Sequence, residues 1–175
     1  MTDSDTVLIW ITEGTWPAAV DAALRLAPAG APITLLHVIP AELPDAAHGA
    51  YLGLLGRGRP GRDPGARVAE LAAESAGDLL AAAARRLGRP CDRVERQGAA
   101  EREVVTAAAG AGLLILARDG DPVRLGPKSL GKAARFVVDH APCPVLLVWS
   151  GAAPDITTIP PPPPGPGHRP PRPPA

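Results

Sequence analysis

Residues 126–132, GPKSLGK, hold the chain's densest potential for chemistry. From Gly126 to Gly131 and Lys132 the run matches the G-x4-G-K spacing of a phosphate-binding loop. The next residue is Ala133, where that motif needs a serine or threonine to hold magnesium. The motif should also start directly after a strand, whereas residues 118–125 intervene. A phosphate-loop NTPase is therefore set aside, but part of the physics survives. A helix opening near Gly131 offers free backbone amides, and Lys128 and Lys132 add positive charge. Together they could hold a phosphate or another small anionic ligand. Ser129 could join that contact, or could serve only as the helix N-cap.

Other reactive residues form no constellation. His37, His48, His140 and His168 are scattered, without metal-ligand spacing. Ser129 has no general base recognisable from sequence. Asp119 and Asp121 could bind magnesium beside a nucleotide, or could be ordinary turn acids. Cys91 and Cys143 make no disulfide framework and read as buried structural thiols. No catalytic residue and no metal site is expected.

Composition narrows the class. A chain of 175 residues suits one domain plus an extension. With 18 basic and 18 acidic residues, it has no global attraction for nucleic acid or an anionic membrane. Aromatics are 3%, so Ala, Val, Leu and Ile must fill the core. The amino terminus carries acids where a secretory signal needs positive charge, and no stretch approaches the roughly 20 apolar residues of a membrane span. A cytoplasmic location is expected. The domain is placed at residues 1–150. Residues 151–175, ending IPPPPPGPGHRPPRPPA, read as a disordered, polyproline-type tail that serves as a spacer or, through PxxP, as an adaptor ligand.

The elements that must position these groups alternate. Apolar runs at 7–11, 33–38, 113–117 and Val145 to Trp149 read as buried strands, and the charged run 91–96 reads as an edge strand. Helices are expected at 17–27, 67–87, 99–109 and 130–140. Their apolar stripes are Val20, Ala23, Leu24 and Ala27 in the first and Val68, Leu71, Ser75, Leu79, Ala83 and Leu87 in the second. Strict alternation predicts an α/β, doubly wound parallel sheet, with ligands bound beyond the carboxyl ends of the strands. The connection 39–67 is either a lid, through Arg57, Arg59, Arg62 and Arg67, or a solvated insertion on which Leu52, Leu54 and Leu55 dock.

HAPCPVLLVW at 140–149, the glycine loop before the last helix and LLHVIP at 35–40 resemble the universal stress protein family over residues 6–150. The resemblance implies a five-stranded sheet of order 3-2-1-4-5, related to adenine nucleotide alpha hydrolases, and a homodimer joined through Val145 to Trp149. One branch of that family holds ATP with G-x2-G-x9-G-[ST]. The aligned residues here are Ala117, Gly120, Gly131 and Lys132, with a spacer of ten between the last two glycines. The family's aspartate after the first strand is met by Thr12, with Glu13 beside it. The expectation is a non-enzymatic stress-response module with a degenerate nucleotide-binding loop, and no assured cofactor. The alternative is a module that still binds ATP or another adenine nucleotide.

Overall fold

The computed structural model describes residues 5–41, 64–159 and 161. Five strands, β1 (Val7–Trp10), β2 (Ile33–Pro40), β3 (Asp92–Gly98), β4 (Leu113–Ala117) and β5 (Val145–Val148), form one parallel sheet. Their order is β3-β2-β1-β4-β5, as expected. Four helices connect them: α1 (Trp16–Leu26), α2 (Pro64–Leu87), α3 (Ala100–Ala108) and α4 (Lys132–His140). Residues Gln97 and Gly98, beyond the expected strand 91–96, extend β3 and pair with Ile39 and Pro40.

The period of two along each strand explains the layers. Val7, Ile9 and Ile11 face one cluster with α1 and α2, while Leu8 and Trp10 face the other with α3 and α4. Both faces of the central strands are covered, which is why their sequences are apolar throughout. Two helical stripes differ from expectation. Leu24 and Leu71 stand about half exposed, at 47% and 49%, and Ser75 is exposed. The inward positions are Ala19, Val20, Ala22 and Ala23 on α1, and Ala76, Leu80, Ala83 and Leu87 on α2. Alanine-rich helices offer several apolar faces, and close packing on the sheet selects among them. A bidentate ion pair ties the outer surfaces of α1 and α2, with Arg86 donating to both carboxylate oxygens of Asp21 at 2.6 and 2.7 Å. That hydrogen bonding holds the Asp21 carboxyl below the ordinary carboxylate range.

The last crossover also differs. α4 begins at Lys132, and residues Pro127–Ser129 form a separate 3-10 turn. Ser129 is therefore not the N-cap; Gly131 occupies that position. Past Ser150 the chain stays attached at first: Ile156–Thr158 form a second 3-10 turn, and Thr158 Oγ1 accepts from the Leu125 amide at 3.1 Å. Residues 160 and 162–175 of the expected tail lie outside the described residues, as do His48, His168, Arg57, Arg59, Arg62, Leu52, Leu54 and Leu55. Arg67 is described; it is exposed and paired with Glu70 at 3.1 Å on α2. Cys91 and Cys143 are free and partly buried, and desolvation pushes both thiols up, which suits inert structural roles. Among the described residues no helix is long and apolar enough to cross a membrane.

Candidate functional site

A cleft of about 660 Å³ opens beyond the carboxyl ends of β1 and β2. It lies at the topological switch point, since β1 is flanked by β2 on one side and β4 on the other. The ends of β1 and β2 supply an apolar wall through Trp10, Ile11, Val38 and Ile39, and α2 supplies Ala72, Ala76 and Leu79. Polar groups are few: Thr12, Glu13, His37, Ser75, Asp78 and Asp119. An apolar cavity with a handful of placed polar groups is the usual form of a small-molecule site.

Each polar group has a structural reason for its place. Thr12 opens the turn after β1, and its carbonyl accepts from the Thr15 and Trp16 amides at 3.2 and 3.0 Å. Glu13 follows it in that turn and is exposed. His37 sits on β2 with Nδ1 2.8 Å from the Ile11 carbonyl oxygen. A carbonyl can only accept, so Nδ1 carries the proton, and in the neutral ring Nε2 is an acceptor. Ser75 and Asp78 lie three apart on α2 and so share one face of that helix.

Asp119 occupies the most telling position. Its Oδ1 accepts the Gly131 amide at 2.7 Å, at the amino-terminal end of α4. An added Cβ on Gly131 would lie 2.7 Å from the carboxylate, so glycine is what admits this approach. Helix amino termini attract anions through unsatisfied amides and the helix dipole. Here the chain's own carboxylate takes that place.

The rest of the loop is closed on itself. The Gly120 amide donates to the Ser129 carbonyl at 3.1 Å, and the Asp121 amide donates to that of Lys128 at 2.8 Å. Ser129 is fully buried; its hydroxyl donates to the Gly126 carbonyl at 2.7 Å and accepts from Arg118. The Arg118 guanidinium also lies 4.7 Å from the Trp149 ring centre. Asp121 accepts from the Val123 amide at 2.9 Å, the ordinary turn role. Arg135 donates to the Pro127 carbonyl. Arg118 and Arg135 are thus used to hold the loop.

The sequence-derived site residues divide into three groups. Thr12 and Glu13 line the cleft. Ala117, at the end of β4, is buried in the cluster beneath α1, while Gly120, Gly126, Ser129 and Gly131 build the loop and the α4 terminus. Lys128 and Lys132 line a separate outer hollow of about 490 Å³ with Leu130, Arg135, Phe136 and His140. His37, Ser75 and Asp78 are cleft residues to which the sequence assigned no site role. The one signal for the last two was a polar pair at helical spacing on an otherwise alanine-rich helix. Among the described residues no group of three or more histidine, cysteine or acidic side chains is placed to hold a metal ion.

The sequence profile of the Universal stress protein family matches residues 7–148. No curated protein matches the chain. Among solved structures, the hypothetical protein MJ0577 is 17% identical with a TM-score of 0.65, covering 87% of this chain and 100% of that one. A universal stress protein in complex with cAMP is 19% identical with a TM-score of 0.54, covering 83% and 97%. A universal stress protein family protein from Arabidopsis thaliana, with AMP bound, is 17% identical with a TM-score of 0.53, covering 84% and 92%. At these identities the likeness is one of fold.

Proposed function

The chain belongs to the universal stress protein family, and from that premise we propose that it is a non-enzymatic, cytoplasmic stress-response module. In this reading it is a homodimer whose cleft takes an adenine-type ligand, while the phosphate end of the site is degenerate. The observation that carries the reading is the Asp119 carboxylate on the Gly131 amide, because it fills the position a nucleotide phosphate would need. Ser129 and Arg118 are spent on each other, and Lys128 and Lys132 stand outside the cleft. The adenine-type ligand is supported by the cleft's position and by two structural neighbours, one in complex with cAMP and one with AMP bound.

The cleft lining supports a non-enzymatic role. His37 is the one imidazole of the described lining, and its Nδ1 proton is committed to Ile11. No cationic side chain of the described lining could stabilise charge on a transferring phosphoryl group. Incubating the full-length protein with ATP and magnesium and following the products by chromatography tests this. Unchanged ATP is expected, and steady release of ADP or AMP by the protein would overturn it.

Dimerisation is supported by β5. Its sequence is wholly apolar, its residues are all partly exposed, and among the described residues no strand pairs with its outer side. Such an edge invites pairing with another strand, and an antiparallel copy related by a two-fold axis satisfies it.

A further inference from the structure

The cleft's charge points to a particular class of ligand, on the premise that the cleft is the adenine-type site proposed above. Its described lining contains three carboxylates, Glu13, Asp78 and Asp119, and neither a lysine nor an arginine. Carboxylates accept hydrogen bonds and cannot donate them when ionised, and His37 Nε2 in the neutral ring is a further acceptor. Among the side chains of the described lining, the donors are limited to the hydroxyls of Thr12 and Ser75, the indole N–H of Trp10 and the His37 Nδ1 proton already held by Ile11. A phosphate needs donors and positive charge, and it would meet like charge on entering. The amino-terminal end of α4, where an anion is best received, already holds Asp119. An N–H-bearing, uncharged or cationic group meets the opposite conditions: acceptors on several sides and an apolar wall for its body.

We infer that the cleft binds an unphosphorylated, nucleoside-type ligand, a planar heterocycle bearing N–H donors, and excludes its phosphorylated forms by charge. A volume of about 660 Å³ is ample for such a molecule. Asp119 is then a specificity-determining residue: the carboxylate that caps α4 also repels phosphate. The same geometry gives Gly131 its purpose, since a side chain there would push the carboxylate off the helix end.

Calorimetric titration of the full-length protein with adenosine, AMP and ATP, each with and without magnesium, tests the inference. Adenosine should bind most tightly, with AMP weaker by about tenfold or more and ATP weaker again, a tenfold step corresponding to about 1.4 kcal/mol. Raising the salt should narrow the gap between adenosine and AMP, because screening weakens repulsion. Asp119→Asn keeps an oxygen for the Gly131 amide but loses the charge, so it should strengthen AMP binding about tenfold and narrow the gap between adenosine and AMP. Glu13→Gln, on an exposed turn, should act in the same direction without touching the loop. AMP or ATP binding more tightly than adenosine, with or without magnesium, would overturn the charge argument while leaving the cleft as the ligand site. An unchanged gap in both variants would likewise overturn it. If none of the three ligands binds, the adenine-type assignment of the cleft itself fails.

Discussion

Gly120→Ala should lower the melting temperature by roughly 6–12 °C, the shift expected for a loss of about 3 kcal/mol in a chain of this size. An added Cβ would stand 2.3 Å from the Lys128 carbonyl oxygen, 2.6 Å from the Ser129 carbonyl carbon and 2.8 Å from the Leu130 nitrogen. All three are backbone atoms, so no side chain can rotate out of the way. The two strands of the loop must separate, and the Gly120–Ser129 and Asp121–Lys128 hydrogen bonds go with them. Gly131→Ala is the informative contrast. Its Cβ would meet only the end of the Asp119 side chain, which can swing aside. That substitution should cost about 1 kcal/mol, the scale of a lost helix cap. Thermal melts of the two variants side by side check the difference, and equal losses would mean that the loop is not held as described.

The second large effect concerns association. Leu147→Lys should weaken the dimer by a hundredfold or more, since juxtaposed like charges at an interface cost several kcal/mol, on the order of 3. The Leu114 amide donates to Pro144 and the Arg118 amide to Val148, so alternate residues of β5 turn their backbone groups toward β4. Val145 and Leu147 turn theirs outward, which puts Leu147 near the middle of the free edge. Sedimentation velocity of wild type and variant reads the effect, and retained far-ultraviolet circular dichroism separates it from unfolding. That control matters because Leu147 also packs against the cluster beneath α3 and α4. A wild type that sediments as a monomer at micromolar concentration would remove the dimer from the account.

How far the sequence revealed these features depended on what each rests upon. The strands were legible because burial on both faces leaves no room for polar residues, as in Leu113–Ala117. The charged β3 was legible as an edge for the converse reason. Strand order and the dimer came through resemblance; nothing in periodicity alone supplies them. The helical faces were less legible, because α2 is rich in alanine and packing chose Ala76 over Leu71. At the site, Thr12 and Glu13 could be placed only through the resemblance, since they stand where the family has an aspartate after the first strand, and both line the cleft. The direction of Lys128 and Lys132 could not, since spacing along a glycine loop does not say which way a side chain leaves it. Nor could the role of Asp119, which arises only when the loop folds back to bring residue 119 onto the amide of residue 131.

The most direct measurement is mass spectrometry of the small molecules released when freshly purified full-length protein is denatured. A cleft lined by Glu13, Asp78 and Asp119, with Asp119 already seated on α4, should release no stoichiometric adenine nucleotide that carries a phosphate. Stoichiometric ATP or AMP in the released fraction would contradict the account, because the phosphate would then have displaced the carboxylate on which it rests.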